Sequence, residues 1–227
     1  MNYEFDFGVI LDRWPLVIHG ITVTLRLAFF ATVFGFLLGT AGAIARTGGP
    51  KWLQRVVAIY VEIIRNTPLI IQAYFLIFGL ASIGARLPIE VSATIALVVN
   101  IAAYTVEIMR AGIESIKHTQ IEAAECLGMN RWQIYLHIVL RQAMERIYPA
   151  LTGQYVLLML VTSIFAAVGA EELFGIANRI QTETYRNFEV FILLGIAYLA
   201  LSFLVRLVFA GLALILFPRR RKLGTPL

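Results

Sequence analysis

Residues 114–147 read ESIKHTQIEAAECLGMNRWQIYLHIVLRQAMERI. The stretch is polar yet regular, with apolar positions at Ile134, Ile138 and Leu140 and a turn signal at Gly128. That pattern predicts two short helices meeting near Gly128 rather than a linker. On either side the chain turns apolar, over Ser92–Ile113 ahead of the segment and Tyr148–Gly169 behind it. A crossing of about 30 Å of hydrocarbon takes about 20 mostly apolar residues, so both runs read as membrane spans. Further out, Leu16–Ala45, Leu53–Leu80 and Phe191–Phe217 bring the expected set to five. Composition agrees: 59% hydrophobic residues, 15% charged and a mean hydropathy of +0.80 are too apolar for a water-soluble domain. The expectation is an all-α membrane protein with one transmembrane domain over 1–227 and the polar segment 114–147 within it.

Cations set the orientation. The segments assigned to the inside hold Arg46, Lys51, Arg55, Lys117, Arg131, Arg141, Arg146, Arg219, Arg220, Arg221 and Lys222, against Arg13, Arg86, Arg179 and Arg186 outside. Eleven against four predicts an outside N-terminus and an inside C-terminus. The first residues are acidic and lack a cleavage pattern, so the first span is expected to be retained, with Phe5, Phe7 and Trp14 available as an interfacial belt. The outer stretch from Ala170 to Glu189 is expected to hold one short helix. The single Cys126 excludes an intrachain disulfide.

A search for catalytic chemistry returns negatives. There is no glycine-rich loop ending in Lys and Ser or Thr to cradle phosphates, so the chain is not expected to hydrolyse ATP itself. His19, His118 and His137 never fall at i, i+4, which removes a zinc-hydrolase helix, and no nucleophile elbow is present. No enzyme and no metal site is expected.

The spans instead carry isolated polar groups. Glu62 and Arg65, then Glu107 and Arg110, repeat at i, i+3 spacing, which puts each carboxylate and guanidinium on one helix face. Intramembrane charge faces a partner or a watery path, so these pairs read either as a polar lining or as neutralised structural pairs. Asn66, Thr67 and Pro68 interrupt the second span, and the proline removes the amide that Ile64 would have bonded. Broken helices at membrane depth are tolerated where they line a cavity or are buried in protein. Thr162 and Ser163, with Gln154 two turns earlier, interrupt the fourth span in the same way. The expected path residues are Arg65, Asn66, Thr67, Glu107, Gln154, Thr162 and Ser163.

Glu122, Ala123 and Ala124, followed by Gly128, Ile138 and Leu140, resemble the EAA loop of importer-type ABC permeases. In that family the motif forms coupling helices that dock on an ATPase. The family pattern ends in proline, where this chain has Arg141. YVEIIRNTPLIIQAYFLIFG over 60–79 and YTVEIMRAGIESI over 104–116 are similar to the polar amino acid subfamily, with Asn66 in place of a usual glycine. Leu160 and Val161, where many relatives have a lysine and an acid, resemble the branch that serves histidine, other basic amino acids and opines.

The resemblance implies a type I ABC importer permease fold in a bacterial cytoplasmic membrane. It implies partner ABC ATPase subunits carrying ATP and magnesium, a second permease subunit of the same or a homologous chain, a substrate-binding protein and a polar amino acid cargo. Glu122, Ala123, Ala124, Gly128, Ile138 and Leu140 become the ATPase-coupling residues. The rival class is an ion- or proton-coupled secondary transporter using Glu62 or Glu107.

Overall fold

The structure, a computed structural model, describes residues 4–217. The cations Arg219, Arg220, Arg221 and Lys222, which entered the orientation count, lie outside the described residues. Helix α1 runs over Trp14–Gly48 and opens with Pro15 in its first turn, where a missing amide loses no partner. It is followed by α2 (Lys51–Arg65), α3 (Leu69–Ser82), α4 (Ile89–Glu114), α5 (His118–Cys126), α6 (Arg131–Val168), α7 (Leu173–Thr184) and α8 (Asn187–Leu216). No strand occurs among the described residues. Helices α1, α4, α6 and α8 are long and apolar enough to cross a membrane, and α2 with α3, bent through 105° at their break, count as a fifth when the pair is taken as one span.

The bundle is centred on the α1–α4 contact, the most extensive in the molecule. Small residues allow it. A methyl group added at Gly39 would lie 2.5 Å from Thr105 Cβ and 2.9 Å from the Ala102 carbonyl, and one at Gly42 would lie 2.7 Å from Val106 Cγ2. In lipid, where burying apolar surface gives helices no drive to associate, such close backbone approach supplies the packing. Leu27, Leu97, Ile101, Met109 and Phe165 fill the shared core beside it. The outward faces carry Phe29, Phe34, Leu37, Phe203, Leu207 and Ile215, all exposed. A surface of this kind suits hydrocarbon and would aggregate in water.

The polar segment departs from expectation at its second half. Helix α5 is a separate short helix, but the second is the start of α6, which continues without interruption into the fourth span. Nothing between Arg131 and Tyr148 stops it. Arg141, standing where the family pattern has proline, keeps a backbone N–H that bonds the Ile138 carbonyl, and a wide turn over Ile134–Leu140 absorbs the local misfit. The start is fixed by Asn130 and Gln133, each side chain accepting the other's backbone N–H at 2.9 Å.

The expected outer helix is α7, and its start is tied down. Glu172 caps it, accepting from the N–H groups of Phe174 (2.9 Å) and Gly175 (2.7 Å), while the Leu173 N–H donates to Thr24 Oγ1 on α1. Tyr198 of α8 donates to the same carboxylate at 2.9 Å. Burial pushes the Glu172 carboxyl above its ordinary range, against the hydrogen bonds that favour its charge. Separately, the Asp6 N–H donates to the buried Glu189 of α8, which holds the N-terminal segment against that helix, and Phe5 stacks on Phe7 with both rings exposed.

Candidate functional site

Helix α2 stops at Arg65 because Pro68 cannot donate to the Ile64 carbonyl and restricts the residue before it. Side chains take over the freed carbonyls. Thr67 Oγ1 donates to Ile63 O at 2.9 Å, and Gln72 Nε2 donates to Ile64 O at 2.9 Å and also contacts Thr67. The other end of Gln72 accepts from Asn100 Nδ2 of α4 at 3.1 Å. The break is therefore held open by a polar chain that crosses from one span to the next.

Beside the break lies a cavity of about 560 Å³. Arg65, Asn66 and Thr67 line it from the break, Asn100 and Tyr104 from α4, and Gln154, Leu157 and Val161 from α6. Four of the expected path residues, Arg65, Asn66, Thr67 and Gln154, thus share one space. Asn100 and Tyr104 were not among them, although their i, i+4 spacing in an apolar span puts both on one face and is legible in the sequence. The Arg65 guanidinium lies 5.3 Å from the centre of the Tyr104 ring, a cation–π contact across the break.

The structure places the other three expected residues outside this lining. Glu107 accepts from Arg46 of α1 and from Arg110 at 2.9 Å, with Arg65 Nη1 4.0 Å away. It joins α1 to α4 instead of facing the cavity. Thr162 is fully buried and donates to Met159 O at 2.7 Å, and Ser163 donates to Leu160 O at 2.8 Å, so both hydroxyls serve the tight final turns of α6. The i, i+3 pairs also divide. Arg110 meets Glu107 as expected, whereas Glu62 accepts from Asn66 Nδ2 at 2.9 Å and Arg65 turns away to α4. Arg65 is the last residue of its helix and is drawn to the ring across the gap. Arg26 finds its partner between helices, in Glu90.

At the connection between α4 and α6, Glu122 and Ala123 are exposed, and Glu122 bonds His118 Nδ1 at 2.9 Å. Ala124 is buried against Ile116, Ile134 and Val139. Gly128 adopts φ +77°, the left-handed region that favours glycine, and this turns the chain from α5 into α6. Ile138 and Leu140 are half-buried. Leu127 and Trp132, 82% and 70% exposed, flank Glu122 and Ala123 with apolar surface. Among the described residues no group of three or more His, Cys, Asp or Glu is placed to hold a metal ion.

The model of the binding-protein-dependent transport system inner membrane component family matches residues 31–222. The chain is 33% identical to an octopine transport system permease of Rhizobium radiobacter, covering 96% of this chain and 92% of that one. It is 34% identical to a nopaline transport system permease of Agrobacterium fabrum, with 88% and 87% covered. A glutamine transport system permease of Escherichia coli is 30% identical over 89% of this chain and 95% of that one. Among solved structures, an amino acid ABC transporter crystallised with histidines superposes with a TM-score of 0.85 at 31% identity, covering 92% of this chain and 98% of that one. A methionine ABC transporter in an inward-facing conformation shares the fold, with a TM-score of 0.75 at 22% identity over 88% and 96% of the two chains.

Proposed function

The chain belongs to the family of binding-protein-dependent transport system inner membrane components, and on that premise we propose that it is the permease subunit of an ATP-driven importer for polar amino acids. A substrate-binding protein delivers cargo to the outer face, where the N-terminus and α7 lie. Two permease subunits enclose the path. Partner ATPase subunits, which carry ATP and magnesium, close on the inner face and act through the segment from α5 into α6.

The observation that carries the reading is α5. A short polar helix stands outside the packed spans with Glu122 and Ala123 exposed, Ala124 anchored in a small core of its own, and exposed Leu127 and Trp132 alongside. A chain without a phosphate loop has use for such a ledge as a socket for a separate engine. The cavity at the α2–α3 break supplies the other half, polar groups at membrane depth where irregular backbone lines a space. A gradient-coupled carrier would need an exchangeable intramembrane acid, yet Glu107 is held by Arg46 and Arg110 and Glu62 by Asn66.

The test is uptake of radiolabelled amino acid into vesicles holding the permease, its ATPase and its binding protein. ATP inside the vesicles is expected to drive accumulation with no ion gradient present. Accumulation driven by a proton or sodium gradient without ATP would overturn the proposal.

A further inference from the structure

We infer that the groove between α6 and α8 is a site for an anionic phospholipid, with the phosphate on Arg206 and an acyl chain in the apolar cleft beside it. Arg206 is a cation within the apolar span α8, and it is exposed. Among the described residues it makes no hydrogen bond or ion pair. Arg26, Arg46, Arg65 and Arg110, nearer the centre of the bundle, each have a carboxylate in Glu90 or Glu107. A bare guanidinium at membrane depth is costly and either takes a partner or reaches for the headgroups.

Arg206 lines a cavity of about 240 Å³ together with Tyr148, Pro149, Thr152 and Gly153 of α6. Tyr148 and Thr152 also wall a second cavity, of about 260 Å³, which Phe36 and Leu37 of α1 and Phe209 and Leu212 of α8 close. The polar atoms of the shared wall are already used, Tyr148 donating to Phe209 O at 2.6 Å and Thr152 to Tyr148 O at 3.0 Å. The second cavity therefore offers apolar surface and the first a single positive charge, with no acid in either lining. A cation beside an apolar cleft is the complement of a phosphate and its acyl chain; a soluble anion would use only the first space and a hydrocarbon only the second. Leu37, Leu207, Leu212 and Leu216 are exposed around them, a surface that suits the bilayer rather than water.

Helix geometry extends the charge along the groove. Arg141, Glu145, Tyr148 and Thr152 follow one another at i, i+4, i+7 and i+11, on one face of α6. Arg141, the residue that replaces the family's proline, is exposed and its side chain has no partner among the described residues. Glu145 stands between Arg141 and Thr152 in that row, half-buried and without an ion pair among the described residues. It offsets one of the two cations and leaves the groove positive. In the sequence, Arg219, Arg220, Arg221 and Lys222 follow α8, and cations clustered immediately beyond a span mark contact with anionic lipid.

The test is native mass spectrometry of the purified permease with its partner subunits, released from mixed micelles that hold phosphatidylglycerol and phosphatidylcholine of the same acyl chains in equal amounts. Phosphatidylglycerol is expected to be retained in preference to phosphatidylcholine. Arg206→Gln should cut its retention about five-fold, the worth of one cation at a lipid surface. Gly153→Leu should also cut it while keeping the charge, because a Cβ at Gly153 meets nothing within 4 Å and the side chain fills the cavity. Glu145→Gln should raise retention, and Arg55→Gln, which removes an exposed cation of α2, should leave it unchanged. Equal retention of the two lipids, or undiminished phosphatidylglycerol in either Arg206→Gln or Gly153→Leu, would overturn the inference. A loss in Arg55→Gln as large as that in Arg206→Gln would overturn it too, by showing attraction to the whole charged surface. Separation of two permease copies by Arg206→Gln with lipid retention unchanged would give the groove to a second copy of the chain instead.

Discussion

Gln72 reaches back across the broken span to donate from Nε2 to the carbonyl of Ile64, 2.9 Å away. That carbonyl is the one orphaned by Pro68, four residues on in sequence. One side chain thus replaces the backbone bond that the proline removed, and its other end ties the break to Asn100.

Gln72→Leu should leave the Ile64 carbonyl only the long 3.5 Å bond from Thr67 Oγ1 and release Asn100 at the same time. An unsatisfied buried polar group costs about 1–3 kcal/mol, so the unfolding midpoint in detergent is expected to fall by several degrees, at about 2–4 °C per kcal/mol. Transport should fall with it. A variant with an unchanged midpoint would show that the carbonyl finds another partner.

Gly39→Ala places a methyl 2.5 Å from Thr105 Cβ and 2.9 Å from the Ala102 carbonyl. Since one of the obstacles is backbone, α1 and α4 must part, at a cost of about 1–3 kcal/mol. Gly195→Ala, where an added methyl meets nothing within 4 Å, should be neutral or slightly stabilising. Thermal unfolding and membrane abundance of the two variants check this, and equal behaviour would remove the close approach as a determinant of packing.

Glu122→Arg and Gly128→Val should abolish ATP-coupled uptake and loosen association with the ATPase in detergent, with permease abundance kept. Glu122 is exposed and, among the described residues, its side chain bonds only His118, so reversing its charge leaves the core untouched. Valine at φ +77° is strained and re-aims the turn. Ala124→Leu acts differently, overpacking the space between Ile116, Ile134 and Val139 and lowering stability first. Wild-type co-purification and transport by Glu122→Arg would refute the docking assignment.

Gln154→Leu and Asn100→Leu should reduce uptake about ten-fold or more while basal ATP hydrolysis by the complex persists, because both side chains line the cavity. Thr162→Val should instead lower the unfolding midpoint, its hydroxyl being committed to the Met159 carbonyl in a fully buried turn. Uptake assays paired with melting curves separate the two classes. Loss of uptake by Thr162→Val at an unaltered midpoint would return that residue to the path.

Glu172 gives a pH signature. Its carboxyl is raised by burial in the folded protein, so the folded state holds its proton to higher pH than the unfolded chain does. Its contribution to stability is full below the unfolded value and is lost as pH rises through the folded one. Glu172→Gln removes that dependence, and the midpoint of the wild type minus that of the variant should decline from acid towards neutral pH. A difference that stays flat would show that the cap's hydrogen bonds cancel the burial.

Much of this was legible in the chain itself. Apolar runs, lone prolines and a positive-φ glycine act locally: lipid requires every backbone group to be bonded within its own helix, so each span and its break announces itself in consecutive residues. The five crossings, the interruption at Asn66–Pro68, the turn at Gly128 and the polar segment beyond the bundle were all readable in that way. Partner choice was decided only by tertiary structure. Glu107 had Arg110 beside it in sequence and also took Arg46 from another helix, while Arg65 left Glu62 for the ring of Tyr104. Thr162 and Ser163, expected on the path, donate to the Met159 and Leu160 carbonyls three residues earlier in their own helix. The second short helix expected in the polar segment merged with a span because no residue before Tyr148 stopped it. Helix periodicity fixes which residues share a face, but charge and hydroxyl groups bind whatever donor or acceptor the packing brings within about 3 Å, and that distance exists only once the helices are assembled.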